Sequence, residues 1–464
     1  MLDTLKKINE WWETKEIPKE LAPETKRQVF NEVADLFEDR RIIGVLGPRR
    51  TGKTTLMFQL MNMLIQERHV DPKHILFFSC DDVDFRETEN VISEILRLYF
   101  EDFLKQDYRA ERCYIFIDEI HWIPDWQQQL KKFYDLKYHI KFIISGSSAA
   151  KIKKDQRESL AGRLTEFTLF PLSFSEFLQF NQMQTDEPVH LQEMTYDRLC
   201  QVKNSLGPKQ VLTVKKHFDE YVLVGGLPEW FETQSLKKWQ KKLTEDIIKR
   251  VLYDDVATLY NVKNTFKLEK MLRLLASLHS RTYSYNSLAD TLKMDNETAE
   301  QYIGYLKESY ILFELFNYAA SKEKQLRKNY KYIIFDSGVR NALERITTLD
   351  HPEIGYLIEG VIHQHLLWNQ EKERSTVLFW REKNLVEVDA IVQSAKTIIP
   401  IEVKYQHHIT RKDLVGLLRF MEINNLQQGI VVTKETFEEK KIDEKTLLCV
   451  PAWLFLFVYH PTEQ

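Results

Sequence analysis

Residues 42–55 read IIGVLGPRRTGKTT, an apolar run followed by the pattern G-x-x-x-x-G-K-[ST]. The run predicts a strand over Ile42–Leu46, and a helix is expected to begin near Thr54. Glycines let such a loop wrap phosphates with its amides, while Lys53 would reach the β- and γ-phosphates and Thr54 would coordinate magnesium. The sequence therefore predicts a site for ATP and Mg²⁺ formed by Gly47, Pro48, Arg49, Arg50, Thr51, Gly52, Lys53, Thr54 and Thr55.

Two later apolar runs end in polar residues that suit the same site. Residues 113–119, CYIFIDE, form a strand pattern that ends in two carboxylates, of which Asp118 would hold magnesium and Glu119 would activate water. A chance motif with a surface acidic pair is the alternative. The run at 141–144 leads into Ser145-Gly146-Ser147-Ser148, where the Ser147 hydroxyl could sense the γ-phosphate or simply belong to a turn that ends the strand.

The chain is expected to have an α/β fold with four domains. Strand runs at 42–46, 75–79, 114–117 and 142–144 alternate with helical patterns, which indicates a parallel sheet flanked by helices. Helical periodicity dominates the middle third, and further strand runs follow a helix that begins near residue 356. We assign 1–175 to the domain of the parallel sheet and the phosphate loop, 176–260 to a helical domain, 261–348 to a domain of helices and a hairpin, and 349–464 to a second α/β domain.

These motifs together resemble AAA+ ATPases, and more narrowly a prokaryotic, archaeal-type branch marked here by Gly47-Pro48-Arg49-Arg50 and Asp118-Glu119-Ile120-His121. The resemblance implies that Ser147 is the first sensor and that Arg163 is an arginine finger supplied to a neighbouring subunit, although a solvated surface arginine fits equally well. It also implies assembly into a homo-oligomer. Gly225-Gly226-Leu227-Pro228 is similar to a lid element in which Pro228 packs on adenine; a turn joining two helices is the alternative.

Residues 268–335 have the order of a winged helix: three helical patterns, then a hairpin-like apolar run at 311–318 and another at 332–335. The third helix is flanked by acidic residues that would repel phosphates. Five basic residues lie instead in the predicted loop between the two wing strands. This loop could contact DNA, be solvated or dock a protein partner. The five residues are Lys322, Lys324, Arg327, Lys328 and Lys331.

Acidic residues in the last domain predict a second metal site. Glu359 falls on a helix, Asp389 on a strand, and Glu402 and Lys404 on one face of the next strand. Carboxylates for Mg²⁺ and a cation beside an attacking water are what phosphodiester hydrolysis requires. The pattern looks like the PD-(D/E)xK core, a restriction-endonuclease-like fold, in which Glu359, Asp389 and Glu402 would bind metal and Glu402 and Lys404 would be catalytic. An ordinary salt-bridged strand pair is the alternative.

Composition excludes some classes and leaves the choice of partner open. The chain has 464 residues, a net charge of -4 and four scattered cysteines, which predicts a cytoplasmic protein with no membrane span and only local DNA contact. We expect an ATP-hydrolysing protein whose nucleotide state controls a Mg²⁺-dependent nuclease-like domain acting on DNA. The alternatives are a nucleotide-dependent switch that binds a partner without cleavage and an ATPase that remodels proteins.

Overall fold

The computed structural model describes residues 1–82, 85, 88–147, 160–183, 188–319, 330–382 and 386–460. The chain divides into two compact units. The first comprises Met1–Phe170 with Glu308–Tyr310, and the second comprises Pro171–Lys307 with Ile311–Gln464. Two units are a coarser division than the predicted four domains, whose boundaries stay predictions.

The described part of the first unit forms a parallel sheet of five strands in the order β2-β3-β4-β1-β5. Its strands are β1 Ile42–Leu46, β2 Ile75–Ser79, β3 Cys113–Asp118, β4 Ile140–Gly146 and β5 Leu164–Thr168. Its helices are α1 Leu2–Ile8, α2 Trp11–Thr14, α3 Phe30–Asp35, α4 Lys53–Gln66, α5 Val91–Arg97 and α6 Trp126–Asp135, and a π-helical segment, Leu98–Leu104, continues α5. The predicted α/β sheet is thereby confirmed.

Burial explains why four of these strands are visible in the sequence. Every residue of β1 and β3 is buried, as expected for parallel strands covered on both faces. Each fully buried isoleucine or phenylalanine contributes about 1.5–3 kcal/mol relative to an exposed one. The fifth strand, β5, has the sequence LTEFT and no fully buried residue, so it lacks the apolar run that marks the others.

The described part of the second unit contains a mixed sheet in the order β13-β14-β12-β11-β10-β9-β7-β8-β6. Its strands are β6 Thr282–Tyr283, β7 Leu312–Asn317, β8 Tyr330–Ile334, β9 Thr376–Arg381, β10 Glu387–Gln393, β11 Ile398–Lys404, β12 Gln428–Thr433, β13 Glu438–Ile442 and β14 Lys445–Pro451. Its helices up to the hairpin are α7 Phe174–Phe180, α8 Tyr196–Ser205, α9 Pro208–Val224, α10 Trp230–Thr233, α11 Leu236–Glu245, α12 Ala257–Tyr260, α13 Thr265–Ser277, α14 Tyr285–Leu292 and α15 Asn296–Glu308, with a π-helical segment Asp246–Val256 between α11 and α12. Those after it are α16 Ser337–Glu344, α17 Ile354–Trp368, α18 Val415–Ile423 and α19 Ala452–Val458.

The predicted winged-helix elements are present, but their strands belong to a larger sheet. Helices α13, α14 and α15 precede β7 and β8, which pair antiparallel. On its other side β7 pairs parallel with β9 through Phe316 and Leu378, which joins the hairpin to the strands that carry the C-terminal carboxylates. The assignments as winged-helix and nuclease-like domains stay predictions.

Within the described residues, no helix is both long and apolar enough to span a bilayer.

Candidate functional site: a phosphate loop and a carboxylate cluster

The loop between β1 and α4 has the backbone that its sequence predicts. Gly47 and Gly52 have φ angles of 137° and 89°, a region that side chains rarely adopt. A Cβ on Gly47 would also overlap the carbonyl oxygen of Leu169. Pro48 and Thr51 are buried in the loop, Arg49 and Arg50 are half-buried, and Thr55 lies half-buried in the first turn of α4. The strand, loop and helix therefore form an anion-binding turn at a helix N-terminus.

Lys53 is buried and its ammonium lies over the loop. Its Nζ donates to the carbonyl oxygens of Gly47 at 3.1 Å and Pro48 at 2.8 Å. The Thr51 hydroxyl also donates to the Pro48 carbonyl at 3.0 Å. These contacts hold the ammonium at the centre of the loop, where it can reach phosphate oxygens by small rotations of a flexible side chain.

Arg27 supports the loop from outside the motif. Its guanidinium donates to the carbonyl oxygens of Thr51 at 2.7 Å and Phe170 at 2.9 Å, and the residue is 8% exposed. A bidentate guanidinium shared by two backbone segments fixes their separation. Sequence reasoning missed Arg27 because it lies in an N-terminal segment with no motif.

Thr54 and Asp118, the predicted magnesium ligands of the loop, are in contact. The Thr54 hydroxyl donates to Asp118 Oδ2 at 2.8 Å, and the Ser145 hydroxyl donates to Oδ1. Burial raises the pKa of Asp118, and the adjacent Glu119 carboxylate adds to the shift. A hydroxyl and a carboxylate at the end of a strand beside loop amides form a donor set that fits Mg²⁺ bound to a nucleotide phosphate.

Glu119 is held beside this pair in a strained backbone conformation, with φ at 49°. Its Oε2 accepts from the Ser147 hydroxyl at 3.2 Å and lies 3.2 Å from His121 Nδ1, while its amide donates to Ser145 Oγ at 3.1 Å. The structure thus brings together the predicted base and the predicted sensor. The structure also places Ser145 and His121 in contact with Glu119, although the sequence assigned neither residue a role.

Arg163 lies at the opposite edge of the sheet from the loop of its own subunit. It immediately precedes β5, which pairs parallel with β1 from Ile42, whereas the loop follows the other end of β1. Five residues of strand separate the two edges by roughly 15 Å. Arg163 Nε donates to Asp135 Oδ1 at 3.0 Å. Arg163 could therefore act only on a neighbouring subunit, and that role stays a prediction.

Pro228 lies in the second unit, directly after a constrained glycine pair. Gly225 ends α9 with φ at 78°, and the Gly226 amide donates to Asp336 Oδ2 at 2.8 Å. Glycines are needed here because a Cβ on Gly225 would overlap the Asp336 side chain and one on Gly226 would overlap the Leu172 carbonyl oxygen. The predicted adenine contact of Pro228 stays untested.

The four predicted C-terminal residues converge in the second unit. Glu359 on α17, Asp389 on β10 and Glu402 on β11 are 6%, 4% and 3% exposed. Asp389 Oδ2 accepts from the Val403 amide at 2.8 Å and lies 3.9 Å from Lys404 Nζ, which also contacts Glu402 Oε1. The structure therefore brings these four side chains together.

Lys331 is the fifth member of this cluster, and its environment corrects the sequence interpretation. It lies in β8 and is fully buried, so it is not part of a solvated basic loop. Its Nζ lies 2.7 Å from Glu359 Oε1, 3.5 Å from Asp389 Oδ1 and 3.7 Å from Glu387 Oε1. The other basic residues assigned to that loop, Lys322, Lys324, Arg327 and Lys328, fall outside the described residues.

The buried charges shift one another's protonation. Burial raises the pKa of Glu359 to about 8, with Asp389 adding to the shift and Lys331 opposing it. Burial also lowers the pKa of His363 to about 4, and its Nε2 lies 2.9 Å from the Asp389 carbonyl oxygen. Among the described residues no three His, Cys, Asp or Glu side chains are arranged to hold a metal. The predicted role of Glu359, Asp389 and Glu402 as metal ligands therefore stays a prediction.

The fold and the loop define the first unit as a P-loop nucleotide-binding domain. Residues 39–178 match the family model described as an AAA domain, so the chain contains an AAA-type ATPase domain. Residues 215–350 and 354–454 match two models described as domains of unknown function, DUF8612 and DUF4143.

Several similar proteins are described as uncharacterized. A protein of Methanocaldococcus jannaschii is 26% identical over 409 residues, covering 87% of this chain and 83% of its own length. One of Haemophilus influenzae is 22% identical over 437 residues, covering 90% and 95%. The solved structure of C. elegans PCH-2 covers 33% of this chain and 45% of its own at 15% identity. Its TM-score of 0.25 is too low to support an argument.

Proposed function

We propose that this chain binds ATP with Mg²⁺ at the loop 47–54 and hydrolyses it. The supporting observation is the contact of Thr54 with Asp118 at 2.8 Å, beside a Glu119 carboxylate that accepts from Ser147. When bound, Mg²⁺ would neutralise charge on the phosphates. Lys53 then binds the β- and γ-phosphates, Glu119 orients and deprotonates water, and Ser147 positions Glu119.

Turnover of ATP by a Glu119→Gln variant tests this proposal. The variant should bind ATP as the parent does and lose about 10²–10⁴-fold in kcat, because the amide cannot accept the proton of water. Glu67→Gln is a matched control, since Glu67 follows α4 and its side chain is 63% exposed. Parental turnover in Glu119→Gln would remove Glu119 from this role.

A second candidate function belongs to the carboxylate cluster. The convergence of Glu359, Asp389 and Glu402 with Lys404 favours metal-dependent cleavage of DNA under the control of the nucleotide state. Lys331 favours the alternative, a domain that binds a partner without cleavage, because its ammonium already contacts two of the carboxylates.

Cleavage of supercoiled, linear, branched and single-stranded DNA with Mg²⁺ or Mn²⁺ separates the two alternatives. Metal-dependent products should disappear in Asp389→Asn and Glu402→Gln while ATP turnover continues. No product on any substrate, or products that both variants also make, would leave binding without cleavage as the role of the cluster.

A further inference from the structure

Buried lysines are rare unless they are paired, and Lys331 is paired with three carboxylates from two elements. Glu359 comes from α17, while Asp389 and Glu387 come from β10, and β8 delivers the lysine. The 2.7 Å contact to Glu359 has the length of a charge-assisted hydrogen bond. The ammonium is therefore built into the fold at the point where the carboxylates converge.

A second observation indicates that the cluster can accept more positive charge. Glu402 Oε2 is buried and has no hydrogen-bond partner among the described residues, although Oε1 contacts Lys404. Four carboxyl groups (Glu359, Glu387, Asp389 and Glu402) face two ammonium groups, those of Lys331 and Lys404. Burying a carboxylate oxygen without a partner costs free energy. Hard divalent cations such as Mg²⁺ and Mn²⁺ bind carboxylate oxygens and would remove that cost.

We propose that the Lys331 ammonium competes with a divalent cation for Glu359 and Asp389, so that the cluster takes a metal only when Lys331 is withdrawn. This inference rests on the metal-dependent role proposed above for the cluster. A metal bound by both carboxylates would lie within a few ångströms of the ammonium, where two cations repel strongly in a buried site. The contacts of Lys331 with Glu359 and Asp389 then decide whether the cluster can hold a metal.

Mn²⁺ binding to the full-length, nucleotide-free chain tests the competition, with bound metal measured by electron paramagnetic resonance. Lys331→Met should bind one Mn²⁺ at least tenfold more tightly than the parent, whereas Lys331→Arg, which keeps the charge, should behave as the parent does. The gain should vanish in Lys331→Met combined with Asp389→Asn. Equal Mn²⁺ affinity in Lys331→Met and the parent, with native circular dichroism, would overturn the proposal.

Lys141 offers a matched control for the loss of a buried lysine. It is 1% exposed, and its Nζ donates to the backbone carbonyls of Leu36, Asp39 and Arg41 at 2.6–2.7 Å. Lys141→Met should therefore leave Mn²⁺ affinity unchanged. Tenfold tighter binding in this variant would overturn the assignment to Lys331.

Thermal unfolding keeps the test informative if Lys331→Met is unstable. Removing one partner of a buried ion pair leaves uncompensated charge, so this variant should melt at a lower temperature than the parent without metal. Mn²⁺ should restore its melting temperature, and a variant that Mn²⁺ does not rescue would contradict the competition.

The outcomes also separate this inference from the role of the cluster. Parental Mn²⁺ binding that depends on Asp389 and is unchanged in Lys331→Met would refute the competition and retain the metal site. No Asp389-dependent binding in either protein would refute both, while ATP turnover would be unaffected.

Discussion

Ser145 links the two carboxylates of the ATP site, a role that the sequence pattern assigned to no residue. Its hydroxyl donates to Asp118 and accepts from the Glu119 amide, and the side chain is completely buried. Groups that orient a metal ligand affect the metal almost as strongly as the ligand does. Ser145 is therefore a positioning residue for both Asp118 and Glu119.

Ser145→Ala should raise the Mg²⁺ concentration needed for half-maximal ATP turnover by about 10–100-fold, because Asp118 loses its orienting hydrogen bond. Titration of Mg²⁺ at saturating ATP measures this shift. Ser79→Ala is a suitable control. Ser79 ends β2, which pairs with β3, and its hydroxyl donates to Asp81 and not to Asp118. An unchanged Mg²⁺ requirement in Ser145→Ala would show that Asp118 needs no such support.

Contacts between residues close in sequence are predictable from the sequence, whereas contacts between residues remote in sequence are not. Gly47, Lys53 and Thr54 act within one loop, so their spacing alone predicts their arrangement. Arg27 reaches this loop from a distant segment, and Ser145 reaches Asp118 from another strand. Lys331 was placed in a loop because charged residues precede it, and only its partners Glu359 and Asp389 reveal that it is buried.

The joint between α9 and α16 shows the same dependence on contacts remote in sequence. Asp336 caps α16 by accepting from the Val339 amide at 2.9 Å, and its other oxygen accepts from the Gly226 amide at 2.8 Å. A Cβ on Gly338 would overlap the Val224 carbonyl, which explains the close approach of the two helices. The glycine pair was visible in the sequence, but its acidic partner was not.

Burial raises the pKa of Asp336 from 3.8 to about 6, which predicts a pH-dependent contribution to stability. Between these values the folded chain holds a proton that the unfolded chain has released. The contribution is therefore present below pH 3.8 and is lost as the pH rises through 6, by about 3 kcal/mol in total. Denaturation of Asp336→Asn should show that parental stability relative to the variant falls by this amount between pH 4 and 7.

Asp295→Asn provides a control with the opposite sign. Asp295 accepts from the Thr298 amide at 2.8 Å, a hydrogen bond that lowers its pKa. The free energy of unfolding of the parent, relative to that of Asp295→Asn, should not fall as the pH rises. If the difference in unfolding free energy between the parent and Asp336→Asn does not change with pH, the buried Asp336 carboxyl group is not protonated in the folded chain.

If Arg163 is an arginine finger, its position requires that the chain assembles into an oligomer. Since Arg163 lies at the sheet edge away from its own loop, it can assist hydrolysis only in an oligomer. Arg163→Ala should lower ATP turnover by about 10³-fold or more if it acts as a finger. Its mixture with Glu119→Gln should recover part of the activity, because each variant supplies the group that the other lacks.

Solution mass with and without ATP accompanies the mixing experiment. Arg109→Ala serves as a control, since its guanidinium packs over Tyr138 in the same unit. Parental turnover in Arg163→Ala, or a monomer that is fully active with ATP, would contradict the finger and leave Arg163 as a surface ion pair with Asp135.

The central claim is that a nucleoside triphosphate binds in the loop between β1 and α4, where Lys53 would contact its phosphates. Isothermal titration calorimetry of the parent chain and of Lys53→Ala with ATP and Mg²⁺ tests it most directly. One saturable binding event per chain is expected in the parent, and none in the variant. Binding of equal strength in both proteins, or none in the parent, would contradict the claim.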